Sequence, residues 1–141
     1  MGQPTWYKPT DYRSGIGYDV HPLVKGRKLV LGAAGQGDIG EHFPDTDLRY
    51  KGASSLRLLG LVRKVIEKAG LKVANVDCVL LAEEPRISPY KSKMCQNIAK
   101  ALNVDVDRVN VKATTNEGLG LIGRKEGLAA YATALLRSVK H

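Results

Sequence analysis

Asp19 and His21 are the first residues along the chain that could hold a metal ion. They close the run RSGIGYDVH, whose first eight residues, Arg13 to Val20, are short and β-prone. Residues two apart on a strand point to the same face, so the carboxylate and the imidazole should converge, with Val20 turned toward the core. Zinc binds Asp oxygen and His nitrogen at about 2 Å and takes three protein ligands in a catalytic site. The pair predicts half of a metal site; the alternative is a polar strand end with a hydrogen-bonded histidine.

Four further stretches combine acids, hydroxyls and glycines. They are GDIG at 37–40, FPDTD at 43–47, AEEPR at 82–86 and NVKATTNE at 110–117, with Gly120, Gly123, Arg124, Glu126 and Gly127 after them. Taken singly, the TTNE run favours a capped turn at a strand end, and Asp-Gly clusters favour turns. Their combination and order carry more information than any one of them.

As an ordered set, these motifs resemble the 2-C-methyl-D-erythritol 2,4-cyclodiphosphate synthase family of the non-mevalonate isoprenoid pathway. The similarity runs from about Gly15 to the C-terminus. It implies a lyase whose cytidine-diphosphate-linked methylerythritol substrate attacks its own β-phosphate through its 2-phosphate and expels CMP. No protein nucleophile is needed, so catalysis depends on positioning and on neutralising phosphoryl charge. The resemblance also implies a homotrimer with active sites between subunits.

The same resemblance assigns roles to individual residues. Asp19 and His21 would bind zinc or a similar divalent transition metal, Glu117 would hold magnesium or manganese, and Thr115 and Glu117 would be catalytic. The implied substrate-binding residues are Asp19, Val20, His21, Asp38, Ile39, Gly40, Phe43, Pro44, Asp45, Thr46, Asp47, Ala82, Glu83, Glu84, Pro85, Arg86, Ile87, Ser88, Thr114, Thr115, Asn116, Glu117, Leu121 and Arg124.

Each part of the substrate is expected to meet a different segment. Asp38 would accept a hydrogen bond from the cytidine ribose, residues 43–47 would line the erythritol-phosphate pocket, and residues 82–88 would contact cytosine through backbone groups. Thr114 and Thr115 would direct donors at the phosphates. Arg124 would face phosphate and the trimer axis.

The sequence departs from the family pattern after Gly32. There the family continues with a strand end, a loop with an HSD-type motif and a helix bearing the third zinc histidine, whereas here Gly32 is followed directly by Ala33. The third zinc histidine is therefore absent from this sequence, and His42 does not match it by motif. Either the polypeptide is internally deleted or the sequence omits residues of the natural chain. We favour omission, because losing a helix that covers the sheet would cost more than the about 5–15 kcal/mol that keeps a domain folded.

The rest of the pattern predicts one α/β (α+β) domain at 13–141, behind a loosely ordered extension at 1–12. Its predicted elements are a strand at Arg27 to Leu31, a Gly-rich loop at Gly32 to Gly52, a helix from Ser54 or Ser55 to Gly70, a strand at Val73 to Ala82, a helix at Tyr90 to Leu102 and a strand at Val109 to Thr114. Leu128 to Val139 fits a helix by alanine propensity and also a period of two. The resemblance implies that it is a central strand, in a mixed four-stranded sheet with helices packed on one face.

Composition limits the partners. The chain has 22 Lys and Arg against 14 Asp and Glu, a net charge of +8, which attracts polyanions. The basic residues are scattered and aromatic residues are few, which argues against a nucleic-acid partner, and the resemblance implies a small nucleotide substrate. The alternatives are a catalytically inactive trimeric nucleotide-binding scaffold and a basic nucleic-acid-binding module.

The cellular location is predicted from two features that the sequence lacks, a membrane-spanning apolar run and a CxxC motif. No apolar run is long enough to cross a bilayer, so no membrane partner is expected. Cys78 and Cys95 have no CxxC spacing and suit buried free thiols in a reducing compartment. The bacterial cytoplasm is the expected location, and the plastid stroma also fits.

Overall fold

The computed structural model describes residues 12–22, 46–49 and 54–139, which form a sheet with helices on one side. The elements are β1 (Tyr12–Pro22), α1 (Ser55–Lys68), β2 (Leu71–Leu81), α2 (Lys91–Leu102), β3 (Val109–Thr114), α3 (Gly120–Gly123) and β4 (Gly127–Ser138), with 3-10 turns at Ser88–Tyr90 and Val106–Arg108. The extension predicted at 1–12, apart from its last residue, the strand at Arg27 to Leu31 and most of the predicted Gly-rich loop lie outside the described residues.

The sheet has the strand order β1-β4-β2-β3, and its one parallel pair is β2 with β3. It is therefore a mixed four-stranded sheet, as predicted, and β4 is one of its two central strands. Helix propensity alone is wrong for this stretch. Ala130, Ala132 and Ala134 alternate along β4 and are all buried, so packing against the neighbouring strands and helices overrides the helical preference of alanine.

The first helix follows its sequence signals closely. The Ser54 side chain accepts a hydrogen bond from the Arg57 backbone N–H at 3.2 Å, which caps the start of α1. After the last turn, Gly70 has a φ of 75°, which suits glycine and ends the helix. The predicted helix at Tyr90 to Leu102 is also confirmed, except that its first residue, Tyr90, belongs to the 3-10 turn before α2.

The core lies between the helices and one face of the sheet. It is built from Val76, Cys78 and Leu80 of β2, Val109 and Val111 of β3, and apolar residues of α2 and β4. Burial raises the pKa of the Cys78 thiol to about 11, as expected for an inert core thiol. Cys95 is half-buried and also free, so both predicted free thiols are confirmed.

The inner face of β1, on the helix side of the sheet, is less covered by the described helices than the same face of β2 and β3. Gly15, Gly17 and Asp19 lie opposite Ala134, Ala132 and Ala130 of β4 and are only half-buried. Among the described residues, α1 and α2 pack on β2, β3 and each other, and no helix makes extensive contact with β1.

The other face of the sheet is open. Ile16 is 70% exposed and Tyr18 57%, and the Tyr18 and Tyr131 rings lie with centroids 4.7 Å apart. Val20 belongs to this face and is 40% exposed, so the prediction that it turns toward the core is wrong. Strand alternation places Asp19 and His21 on the helix side, and Val20 must then point the other way.

Polar residues also lie on the open face. Asp77 accepts hydrogen bonds from Lys112 Nζ at 2.8 Å and Asn110 Nδ2 at 3.0 Å, and the lysine contact in particular lowers the pKa of Asp77. Among the helices that the structure describes, none is long and apolar enough to cross a membrane.

Candidate functional site

The Asp19 and His21 side chains converge at the end of β1, as the spacing predicted. Asp19 Oδ2 lies 2.9 Å from His21 Nε2, and both side chains are about one-third exposed. His21 Nε2 is itself buried, yet its geometry toward the carboxylate is not that of a hydrogen bond, and no other described residue satisfies it. An imidazole nitrogen and a carboxylate oxygen that converge without bonding to each other fit two ligands of one cation.

A third ligand is not found next to this pair. Within 12–22, 46–49 and 54–139, no three His, Cys, Asp or Glu side chains cluster as a metal site would require. Among these residues Glu117 does not join the pair, and the metal-binding role of Asp19 and His21 remains a prediction. His42 lies outside the described residues.

A tight turn follows β3 and carries the second group of predicted residues. The Thr114 hydroxyl donates to the Thr115 carbonyl at 3.2 Å, and Thr115 Oγ1 accepts from the Glu117 N–H at 3.3 Å. Because the Thr115 hydroxyl acts here as an acceptor, its own hydrogen can still be donated to a ligand. Glu117 has a φ of 53° and its side chain is exposed.

Glu83 ties this turn to the segment after β2. Its Oε1 accepts from the backbone N–H groups of Asn116 at 2.9 Å and of Gly118 at 3.1 Å. Nearby, the exposed Glu84 accepts from Lys125 Nζ at 2.8 Å. The predicted cytosine segment, residues 82–88, and the predicted phosphate turn, residues 114–117, are thus brought together. Sequence analysis named Glu83 only as a substrate-binding residue of this segment, acting through backbone groups, and did not predict the bonds from its side chain to the turn.

The chain then returns toward β4 and passes close to His21. A Cβ atom on Gly127 would come within 2.7 Å of the His21 carbonyl oxygen and 3.5 Å of Leu121 Cδ1. Arg124 is exposed and donates through Nε to Glu126 Oε1 at 2.8 Å, and this contact lowers the pKa of Glu126. The predicted phosphate and trimer-axis role of Arg124 remains a prediction.

The predicted residues of the FPDTD motif are described only in part. Thr46 is exposed, and Asp47 accepts from the Arg49 backbone N–H at 2.9 Å and from its guanidinium, which lowers the pKa of Asp47. The other predicted residues of this region lie outside the described part of the chain: Asp38, Ile39, Gly40, Phe43, Pro44 and Asp45.

The two groups of site residues lie at the same end of the sheet but belong to different edges. Leu80 of β2 pairs with both Ala130 and Ala113, and Asp19 of β1 pairs with the same Ala130. Between β1 and β3 stand β4 and β2, so the backbones of the two edge strands are separated by three strand spacings, about 14 Å. One subunit does not bring the Asp19 group and the Glu117 group together.

Comparison with known proteins identifies the family. A model of the YgbB family matches residues 30–137. This chain belongs to the YgbB family. One relative, named 2-C-methyl-D-erythritol 2,4-cyclodiphosphate synthase, from Lachnospira eligens, is 46% identical over 158 aligned positions that cover 92% of this chain and 86% of that protein.

Solved structures agree with this assignment. The bifunctional IspDF from Campylobacter jejuni superposes with a TM-score of 0.81 and 34% identity, covering 92% of this chain and 43% of that longer one. IspF from Plasmodium falciparum, solved as a CDP complex, gives a TM-score of 0.73 and 27% identity, covering 94% of this chain and 100% of that one.

The family resemblance read from the motifs is therefore confirmed, and these YgbB relatives give no support to either alternative, the inactive scaffold or the nucleic-acid module. The 158 aligned positions also exceed the 141 residues of the chain. The Lachnospira relative thus contains residues with no counterpart here, which agrees with the segment found missing from the motif pattern.

Proposed function

We propose that the chain converts 4-diphosphocytidyl-2-C-methyl-D-erythritol 2-phosphate into 2-C-methyl-D-erythritol 2,4-cyclodiphosphate and releases CMP, as a step of isoprenoid precursor biosynthesis. The observation that carries this proposal is the 46% identity to a synthase of that name over 92% of the chain. The Asp19 and His21 pair and the Thr115 to Glu117 turn support it, because their donors and carboxylates suit a pyrophosphate with bound cations.

The reaction needs no nucleophile from the protein. A 2-phosphate oxygen of the substrate attacks the β-phosphorus, the bond from this phosphorus to the oxygen bridging the α-phosphate breaks, and CMP leaves with that oxygen. Negative charge then moves onto the leaving α-phosphate. The Thr115 hydroxyl would donate to a phosphoryl oxygen as this charge develops, while Thr114 shapes the turn through its bond to the Thr115 carbonyl.

Two cation sites follow from the residues. Asp19 and His21 would hold zinc or a similar transition metal, and the unsatisfied, buried His21 Nε2 supports this assignment. Glu117 would hold magnesium or manganese, which favour one carboxylate together with phosphate oxygens. When bound, such ions neutralise charge on the transferred phosphoryl group.

The nucleotide end is proposed to lie on residues 82–88, with Asp38 toward the ribose and residues 43–47 toward the erythritol phosphate. The Plasmodium falciparum relative was solved with CDP, the nucleotide portion expected of this substrate. The Glu83 bonds to Asn116 and Gly118 support the arrangement, because they join the segment proposed for the base to the turn proposed for the phosphates.

We infer a homotrimer in which each active site uses two subunits. The two groups of site residues stand on opposite edge strands, whose backbones are about 14 Å apart with two strands between them, and a second subunit would bring one group to the other. In addition, Ile16, Tyr18 and Tyr131 leave apolar surface on the open face, of the kind that a subunit interface covers. We further place this single domain, residues 13–141, in the bacterial cytoplasm or the plastid stroma.

A turnover assay tests the proposed reaction. Purified protein is incubated with the substrate, zinc and magnesium, and phosphorus NMR follows the products; equal amounts of CMP and cyclic diphosphate are expected. CMP accompanied by a linear phosphate would mean that water attacks and would refute the cyclisation. Intact mass is measured on the same sample, because a mass above 15.3 kDa identifies residues missing from the sequence, whereas 15.3 kDa identifies a real deletion.

A further inference from the structure

One carboxylate oxygen of Glu83 accepts hydrogen bonds from the backbone on both sides of Glu117. Glu83 Oε1 accepts from the N–H of Asn116, the residue before Glu117, and from the N–H of Gly118, the residue after it. Hydrogen bonds to a charged acceptor are stronger than neutral ones, and two on one oxygen fix both position and direction. Glu83 is half-buried, so water competes with these bonds less than at a fully exposed site.

The turn depends on such support. Glu117 and Gly118 have φ values of 53° and 75°, so two consecutive residues are left-handed. Glycine adopts this conformation freely, but a residue with a side chain does so at a cost and keeps it only where surrounding contacts impose it. The bond from the Glu117 N–H to Thr115 lies within the turn, whereas the Glu83 bonds come from outside it.

We propose that Glu83 is a positioning residue that holds the Thr115 to Gly118 turn, so that the Glu117 carboxylate is presented to its cation. The inference rests on the proposed function and adds to it a link between the nucleotide and phosphate ends of the site. The neighbouring Glu84 to Lys125 ion pair contributes less to this link, because both side chains are more than half exposed.

Two substitutions separate positioning from other roles. Glu83→Gln keeps an oxygen able to accept both N–H groups, so it should retain most of the wild-type kcat. Glu83→Ala removes both bonds, so kcat should fall about 10- to 100-fold, the scale of effect that a small misplacement of a catalytic group produces. The matched control is Glu67→Ala, which removes an acid paired with Arg63 on α1 and should leave kcat unchanged.

Amide hydrogen exchange gives a second readout that needs no substrate. Exchange at Asn116 and Gly118 should be faster in Glu83→Ala than in the wild type, and near wild-type in Glu83→Gln and Glu67→Ala. Wild-type exchange in Glu83→Ala would overturn the inference. So would a Glu83→Gln variant that requires more magnesium, because Glu83 would then bind the ion directly. If the wild type forms no cyclic diphosphate, the proposed function fails, and exchange still decides whether Glu83 holds the turn.

Discussion

The two-residue repeat of strand β1 determines the face on which the His21 side chain lies. Its imidazole shares a face of β1 with Asp19, and no residue in the described part of the chain gives the buried Nε2 a hydrogen bond of good geometry. A buried nitrogen in that state destabilises the protein unless a ligand satisfies it. The cost is consistent with a site maintained for a cation.

We expect His21→Ala to abolish turnover and to lower the zinc content of the purified protein. Subunit assembly should persist, because a side chain at a strand end contributes little to core packing. Turnover, metal analysis and native mass are measured together, with Ser14→Ala, an exposed position on the other face of β1, as the control. Full activity without loss of metal would remove His21 from the site.

Replacing Glu117 should change the magnesium requirement of the enzyme, whereas replacing Thr115 should change its kcat. Glu117→Gln keeps the shape but removes the charge that holds the cation, so the magnesium requirement should move to much higher concentration. Thr115→Val keeps the volume but deletes a donor needed as charge develops, so kcat should fall by about 10²-fold with little change in metal dependence. The measurement is CMP release against magnesium concentration.

A wild-type magnesium curve for Glu117→Gln would make Glu117 a structural turn residue. Glu126 would then be the next carboxylate to test. Its ion pair with Arg124 is exposed and exchangeable, so it could release its carboxylate to an ion.

At the residue scale, the sequence predicted which side chains meet within one strand, but not the contacts between distant segments. The two-residue repeat of a strand correctly predicted that Asp19 and His21 share a face. The direction of Val20 was predicted wrongly, because the repeat does not say which face of the sheet the helices cover. The Glu83 bonds to Asn116 and Gly118 join segments more than 30 residues apart. They depend on the turn conformation, which short-range patterns do not specify.

Among the elements, the loop between β3 and β4 is held by a close backbone approach. A Cβ atom on Gly123 would lie 2.0 Å from the Gly118 carbonyl carbon and 2.5 Å from its oxygen. The short helix α3 therefore packs directly on the turn that carries Glu117, and only glycine permits this distance.

We expect Gly123→Ala to destabilise the fold by about 1–3 kcal/mol, because the backbone must move apart, and to lower kcat by displacing the Glu117 turn. Gly60→Ala is the matched control: it lies inside α1, where the new methyl would be 3.9 Å from the Ala101 oxygen. There the exchange should stabilise by about 0.5–1 kcal/mol. Urea unfolding and kcat are compared; equal effects of the two substitutions would contradict this account of the loop.

Prediction of elements succeeded where caps and periodicity agree. Ser54 and Gly70 bounded α1, and alternation identified β3. It was ambiguous for β4, where alanine fits both helix and strand and only pairing with β1 and β2 decides. The helix α3 was missed, because four residues within a Gly-rich run carry no helical period.

For the whole molecule, the inner face of β1 matters most. Gly15 and Gly17 are half-buried there, and no described helix packs extensively on the strand. The motif resemblance implies a helix between the positions matched by Gly32 and Ala33, which is missing from this sequence. We therefore expect the missing segment to supply this cover together with the third zinc histidine, which the intact mass would test.

Assembly completes the account. The Asp19 group and the Glu117 group lie on opposite edges of one sheet, and we propose that each working site joins His21 of one subunit to Glu117 of another. Two inactive variants, His21→Ala and Glu117→Gln, can then complement each other, because a mixed trimer contains one site in which both residues are intact.

The decisive measurement is the turnover of trimers coexpressed from these two variants with different tags, with mixing confirmed by native mass. Each variant alone should be inactive at a magnesium concentration that saturates the wild type. The coexpressed sample should recover about a quarter of the wild-type rate, the fraction of intact sites expected when subunits of a cyclic trimer mix at random. Mixed trimers that are no more active than either variant alone would contradict the shared site.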